Sequence, residues 1–168
     1  MSRTRSLAGP VALVLGCALI DQIVKQVFES ALDPQVAVPV FGPLHWYLTY
    51  NTGVAFSFLS GMGANGLVLL SALILALVVF LWSRTPRGHR LAWLGFALVA
   101  GGAVGNLIDR ALLGHVVDYV LLVAGGWSFA VFNLADAFIT VGAGMVLADE
   151  LLGWGRRADA SRAPHAHP

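Results

Sequence analysis

The sequence predicts an all-α membrane protein of four transmembrane helices, with a small extracytoplasmic β-containing segment on the outer membrane surface. Three observations predict it. Of the 168 residues, 58% are hydrophobic and 11% charged, where a soluble domain carries about 25% charged residues, and mean hydropathy is +0.78. Four apolar runs approach the roughly 20 residues that a spanning helix needs. The basic residues gather beside the ends of those runs on one side.

The first helix spans about residues 7–28 and is interrupted late by Asp21 and Lys25. Arg3 and Arg5 before an apolar stretch also fit a cleavable signal peptide, and Leu15-Gly16-Cys17 hints at a lipobox. The apolar run continues past Cys17 to Ile20, and Leu15 fits that position poorly, which favours a retained helix. The extracytoplasmic segment covers about residues 29–65. Pro34, Pro39 and Pro43 exclude a continuous helix there. Val36 to Phe41 and Leu44 to Tyr50 look like short strands joined by a Gly42-Pro43 turn. Val38, Val40, Leu44, Trp46 and Leu48 would form an apolar face on the membrane surface, and Gly61-Met62-Gly63 a flexible break. The remaining helices fall at about residues 66–83, 91–108 and 129–152. None of the four runs has the pattern of a strand, since they are long and rich in Leu and Ala. Residues 1–155 thus form one integral-membrane domain. Residues 156–168 form a disordered cytoplasmic tail, in which His165 and His167 carry no information.

Arg3 and Arg5 precede the first helix, Arg84, Arg87 and Arg90 fill the link between the second and third, and Arg156, Arg157 and Arg162 follow the fourth. Only Lys25 and Arg110 lie toward the other side. The positive-inside rule puts both termini and the middle link in the cytoplasm. Trp82, Trp93 and Trp154 then mark the inner interface, and Trp46 and Trp127 the outer one. The net charge of +1 supplies no field for nucleic acid, and the lone Cys17 excludes an internal disulfide or a cysteine-based metal site.

The acidic residues carry the chemistry. Asp109 and Asp118 follow the outward end of the third helix, Asp21 lies in the outer part of the first, and Asp136 lies about seven residues into the fourth, roughly 10 Å below its start. A charge in hydrocarbon costs on the order of 2.5–3.5 kcal/mol or more, so such residues face the bundle interior and find partners. Asp21 and Lys25, spaced i, i+4, are either a plain helix ion pair or part of a site. Asp109 and Arg110 are either an interfacial pair or functional, and Asp118 is either a loop aspartate or functional. Asp136, with no charged neighbour in sequence, favours a functional role. Two carboxylates meeting at this depth cannot both ionise at neutral pH and titrate as a unit. The ionised one takes a proton from water while the protonated one polarises a carbonyl, as in aspartic proteases. That chemistry needs no metal and no cofactor. His45 and His115 lack an obvious Ser partner, and no close cluster of His and Cys suggests zinc. Asn51, Asn106 and Asn133 supply hydrogen-bond donors nearby.

Five ordered stretches resemble the lipoprotein signal peptidase family (signal peptidase II). They are Asp21-Gln22-Ile23-Val24-Lys25, Asn51 through Ser57, Gly101 through Arg110, Val116-Val117-Asp118-Tyr119, and Phe132-Asn133-Leu134-Ala135-Asp136. Val54 stands where the family usually has Ala, which would tighten that part of the substrate groove, and Tyr119 where Phe is common. The resemblance implies a catalytic pair at Asp118 and Asp136. It implies a substrate site lined by Asn51, Gly53, Asn106, Arg110 and Asn133, with Asp21, Lys25 and Asp109 supporting it. It also implies an aspartic endopeptidase of the bacterial inner membrane whose active site faces outward. The enzyme would cut diacylglyceryl-modified prolipoproteins before the lipidated cysteine, as a monomer among membrane lipids. Gly101 and Gly105 form a G-x-x-x-G pattern suited to close helix approach, which would bring the third helix near the fourth.

Two other classes compete. A small proton-coupled transporter or channel subunit also buries aspartates, but it expects carboxylates near the midplane or on both sides, often with inverted repeats. Here the second and fourth helices carry no acid in their inner halves before Asp149 and Glu150, and the sequence has no inverted repeat. A membrane scaffold gives no reason for acids and amides to gather at one depth.

Overall fold

The computed structural model describes residues 8–53 and 63–162. Arg3, Arg5, Val54, the Gly61-Met62 break, and His165 and His167 lie outside them.

Helix α1 (Ala8–Ala31) carries Pro10 in its first turn, where a missing N–H costs nothing. It ends with Leu32 N–H bonded to the Phe28 carbonyl, two residues before Pro34. Strands β1 (Val38–Phe41) and β2 (Leu44–Asn51) follow, then α2 (Gly63–Arg84) and α3 (Arg90–Leu113). Gly114 caps α3 in the left-handed conformation. The chain then enters β3 (Val116–Ala124), turns through Gly125-Gly126 into β4 (Trp127–Ser128), and ends in α4 (Leu134–Arg162). Both turn glycines have positive φ, 58° and 83°, as a tight two-residue hairpin requires.

The four strands form one antiparallel sheet in the order β1-β2-β3-β4. In the register, Val38 faces Trp46, Thr49 faces Asp118, and Asn51 faces Val116. The sheet is therefore not confined to the segment of residues 29–65. Its third strand lies in the stretch expected as a link after the third helix, and Asp118 is a strand residue, not a loop aspartate. The expected apolar face of β1 and β2 is corrected in the same way. Leu48 is fully buried, and Trp46 packs on Phe28 at 4.8 Å between ring centroids, with Phe28 stacked on Tyr119 at 4.1 Å. These side chains seal the end of α1; Val38 and Val40 alone of the set are exposed.

Among the described residues, α1, the Asn65–Arg84 part of α2, and α3 are long and apolar enough to cross a membrane. Helix α3 is central and packs most extensively on α4, then on α1 and α2. Small residues allow this. A Cβ at Gly95 would stand 2.5 Å from the Gly142 carbonyl oxygen, one at Gly142 2.5 Å from the Gly95 carbonyl oxygen, and one at Gly102 would collide with the Ala135 carbonyl. These glycines make the α3–α4 seam. Gly101 and Gly105, expected to serve it, face α1 instead, meeting Cys17 and Asp21.

Helix α4 begins at Leu134, not near residue 129, because Tyr119, Val120 and Phe132 exchange backbone hydrogen bonds that hold the preceding residues against β3. It runs past the expected end at Leu152 and continues to Arg162, so residues 156–162 are helical where a disordered tail was expected. At the end of the bundle away from the sheet, His89 Nδ1 meets Asp149 Oδ2 at 2.5 Å and the Trp82 and Trp93 rings meet at 5.4 Å.

Candidate active site

Where α4 begins, each free backbone N–H finds a partner, and these partners assemble the site. A helix start leaves its first N–H groups without intrahelical acceptors. Asn133 caps this one: its Oδ1 accepts from Asp136 N–H at 3.0 Å, and Asp136 Oδ2 accepts from Asn133 N–H at 3.2 Å. That reciprocal pair, with an Asn cap and an acid three residues on, is a capping box. Leu134 N–H donates to the Tyr119 hydroxyl at 3.0 Å, and Ala135 N–H to Asp21 Oδ1 at 2.9 Å. Asp136 therefore sits in the first turn of α4, not seven residues in, and its depth is that of the helix start.

The same cap reaches the other acid. Asn133 Nδ2 donates to Asp118 Oδ1 at 2.7 Å, and Asn51 Nδ2 to Asp118 Oδ2 at 3.1 Å. Asn106 Nδ2 donates to Asp136 Oδ1 at 2.9 Å, while Asn106 Oδ1 lies 3.1 Å from Asn133 Nδ2. Asp118 from β3 and Asp136 from α4 are thus joined through two amides, and each carboxylate accepts two N–H groups. Burial and the nearby charge of Asp136 push the Asp118 carboxyl up to about 7, against the pull of the Asn51 and Asn133 amides. Burial likewise raises the Tyr119 phenol.

Behind the pair lies a second charged cluster. Lys25 Nζ stands 2.7 Å from Asp21 Oδ2, 2.8 Å from Asp109 Oδ2 and 2.9 Å from Asn106 Oδ1. Asp21, Lys25 and Asp109 are buried, each 2% exposed or less, so the i, i+4 pair is part of an internal network and not a surface ornament. Among the described residues Asp109 bonds no arginine: it accepts from Val117 N–H at 3.2 Å and Gln22 Nε2 at 2.7 Å, fixing the start of β3. Arg110 instead reaches the Gly53 carbonyl at 3.2 Å and the Asn106 carbonyl at 3.5 Å, within the field of Asp136 and Asp118. Asn51 Oδ1 accepts from Gly53 N–H at 3.0 Å, which closes the rim.

The ten site residues expected from the sequence therefore gather where α1 and α3 end and α4 begins. Asn106 and Asn133 are buried, with their side chains committed to the acids. Gln22 and the Tyr119 hydroxyl were missed as site groups. Gln22 stands three residues before Lys25 on the same helix face, a spacing visible in the sequence. Nothing in the sequence near Tyr119 points to Leu134.

The profile of the family described as signal peptidase (SPase) II matches residues 13–152. A protein of Mesorhizobium japonicum named lipoprotein signal peptidase is 50% identical over 90% of this chain and 90% of its own length. One of the same name from Sinorhizobium fredii is 52% identical over 85% of this chain and 87% of its own. Two solved bacterial membrane enzymes share the fold. One has a TM-score of 0.79 at 23% identity, covering 100% of this chain and 99% of that one. The other has a TM-score of 0.75 at 25% identity, covering 86% and 94%.

Proposed function

Because the chain belongs to the signal peptidase II family, we propose that it removes signal peptides from diacylglyceryl-modified prolipoproteins as an intramembrane aspartic endopeptidase. The observation that carries the aspartic reading is the amide bridge between two carboxylates of different elements, Asp118 on β3 and Asp136 on α4. Asp118, whose carboxyl is pushed up to about 7, holds the shared proton. Asp136 takes a proton from water, and the hydroxide formed attacks the scissile carbonyl carbon. Asp118 gives its proton to the carbonyl oxygen, making a tetrahedral diol. Asp136 then passes its proton to the amide nitrogen, the C–N bond breaks, and Asp118 recovers a proton from the diol. No covalent intermediate forms.

The cut falls just before the lipidated cysteine. Asn51, Gly53 and Arg110 line the approach, where the Arg110 guanidinium and the Gly53 backbone meet substrate groups freed by local unwinding, which cannot stay unpaired in lipid. Asn106 and Asn133 act on the acids from behind. The four helices cross the bacterial inner membrane with both termini cytoplasmic and the sheet outward, supported by the arginines near Arg84 and Arg90 and by α4 lying along α3. The enzyme works as a monomer among lipids.

The test is cleavage of a diacylated lipobox peptide by purified protein in lipid. Asp118→Asn and Asp136→Asn each abolish product while the protein still inserts and elutes as wild type. Wild-type processing by Asp136→Asn would defeat the assignment.

A further inference from the structure

Three side-chain amides deliver N–H groups to the acids, and two of them, Asn106 and Asn133, also join the acids to each other; an amide delivers its N–H only if it is not turned end for end. Asn133 is fixed by backbone: its Oδ1 must face the Asp136 N–H, a pure donor. Among the described residues Asn106 has no backbone partner for its side chain. Its Oδ1 faces two groups, Lys25 Nζ at 2.9 Å and Asn133 Nδ2 at 3.1 Å. Asn133 Nδ2 is a poor guarantor, because it faces three acceptors: Asp118 Oδ1 at 2.7 Å, Asn106 Oδ1 at 3.1 Å and the Val117 carbonyl at 3.2 Å. An NH₂ group has two hydrogens to share among them. An ammonium, by contrast, has three hydrogens and no acceptor, and Lys25 has three acceptors in Asp21, Asp109 and Asn106. A reversed Asn106 would point its NH₂ at that ammonium and its oxygen at Asp136, setting donor against donor and acceptor against anion.

Resting on the aspartic reading above, we propose that Lys25 is a positioning residue that locks the Asn106 amide, so that Nδ2 always faces Asp136 and the two acids keep distinct roles. Lys25 touches neither substrate nor reacting atoms. It acts through Asn106, from a site 2% exposed. Asp21 and Asp109 hold the ammonium in place, and Gln22 holds Asp109. Among the described residues, the other charged or titratable groups facing this chain are Arg110 from α3 and Asp118 and Tyr119 from β3. None of them bonds the Asn106 side chain.

Lys25→Met alone strands two carboxylates, so the test pairs it with Asp21→Asn, which keeps the cluster's net charge and leaves an oxygen for Ala135 N–H. In the purified double variant, kcat for a diacylated peptide falls at least about tenfold, KM stays within about twofold, and the acid limb of the pH–rate profile moves to higher pH. A folded variant with wild-type kcat and profile overturns the proposal. So does a lower kcat with an unmoved profile, which is what a merely structural role gives. Should the variant not fold, the wild-type enzyme decides. With Asn labelled with ¹⁵N at the side-chain Nδ2 only and Asp with ¹³C at Cγ, in lipid, Asp136 Cγ is dephased strongly by Asn106 Nδ2, and absence of that dephasing overturns the lock. Asp136→Asn is run in parallel. If that variant stays active, the aspartic reading fails; if it is dead while the double variant matches wild type, only the lock fails.

Discussion

Asp118 and Asp136 are alike in chemistry and unlike in setting, and under the aspartic mechanism proposed above that difference gives the reaction a direction. Asp118 lies in a strand, buried, with Asn51 and Asn133 as its donors and a carboxylate nearby. With its carboxyl pushed up to about 7, it keeps its proton in acid and loses it as pH rises through that value. In the proposed role of proton donor to the scissile carbonyl it sets the alkaline limb of kcat, which should fall about tenfold per pH unit above about 7. The sign is checked by Asn51→Ala. The Asn51 N–H favours the charged form, so removing it should carry the alkaline limb to higher pH in a pH–rate profile. An unmoved or lowered limb would mean that Asp118 is not the proton donor. At this scale the sequence was legible by residue type and by the end of the bundle at which acids and amides gather, but it put Asp136 about seven residues into α4 instead of in its first turn. The identity of the pair came from the resemblance, because a strand aspartate and a helix-cap aspartate share no local pattern. The cap itself was readable, since Asn133 followed three residues later by Asp136 is a capping signature.

Elements deliver these side chains, and the α3–α4 seam sets how closely. The seam is built on Gly95, Gly102 and Gly142, each with backbone of the facing helix where a Cβ would stand. Gly142→Ala forces the helices apart at a well-packed contact, at a cost of about 1–3 kcal/mol, and tilts the α4 start that carries Asp136. Thermal unfolding in detergent should show the loss, with activity falling alongside. Gly144→Ala, on the same helix with nothing within 4 Å, should leave both unchanged and serves as the control. Equal effects at the two positions would place the close contact elsewhere. The helices themselves were legible from apolar run length, with most ends off by about five residues or fewer and the end of α4 extending ten residues past the expected Leu152. Strand β3 was not, because Val116 to Ala124 is nearly continuous in apolar residues, with no alternation to separate it from a buried helix end. Its valines, bounded by Gly114 and by Gly125-Gly126, were the signal available. The G-x-x-x-G spacing of Gly101 and Gly105 was recognised as a contact face, but spacing along one helix does not say which neighbour it meets.

Across the whole molecule, the sheet, the acid pair and the Lys25 cluster occupy one end of the bundle, and the His89–Asp149 contact and the arginine-rich link occupy the other. In the reaction proposed above, a substrate helix must therefore present its scissile bond at one depth, level with Asp118 and Asp136. Two anchors compete to set that depth: the hydrophobic length of the signal helix and the acyl chains on its cysteine. At about 0.8 kcal/mol for each buried CH₂, two long chains outweigh the cost of hydrophobic mismatch, a fraction of a kcal/mol per Å. Inserting three leucines into the cytoplasmic half of the signal helix lengthens it by about 4.5 Å. In a diacylated substrate the cysteine should stay at its leaflet while the helix tilts, so cleavage continues at the same bond with kcat within about twofold. In the unmodified substrate the same insertion displaces the cysteine, and cleavage should fall. Mass spectrometry of the released peptides reads both. A cut that moves with the insertion in the lipidated substrate would mean that helix length, and not the acyl anchor, brings the bond to Asp118 and Asp136.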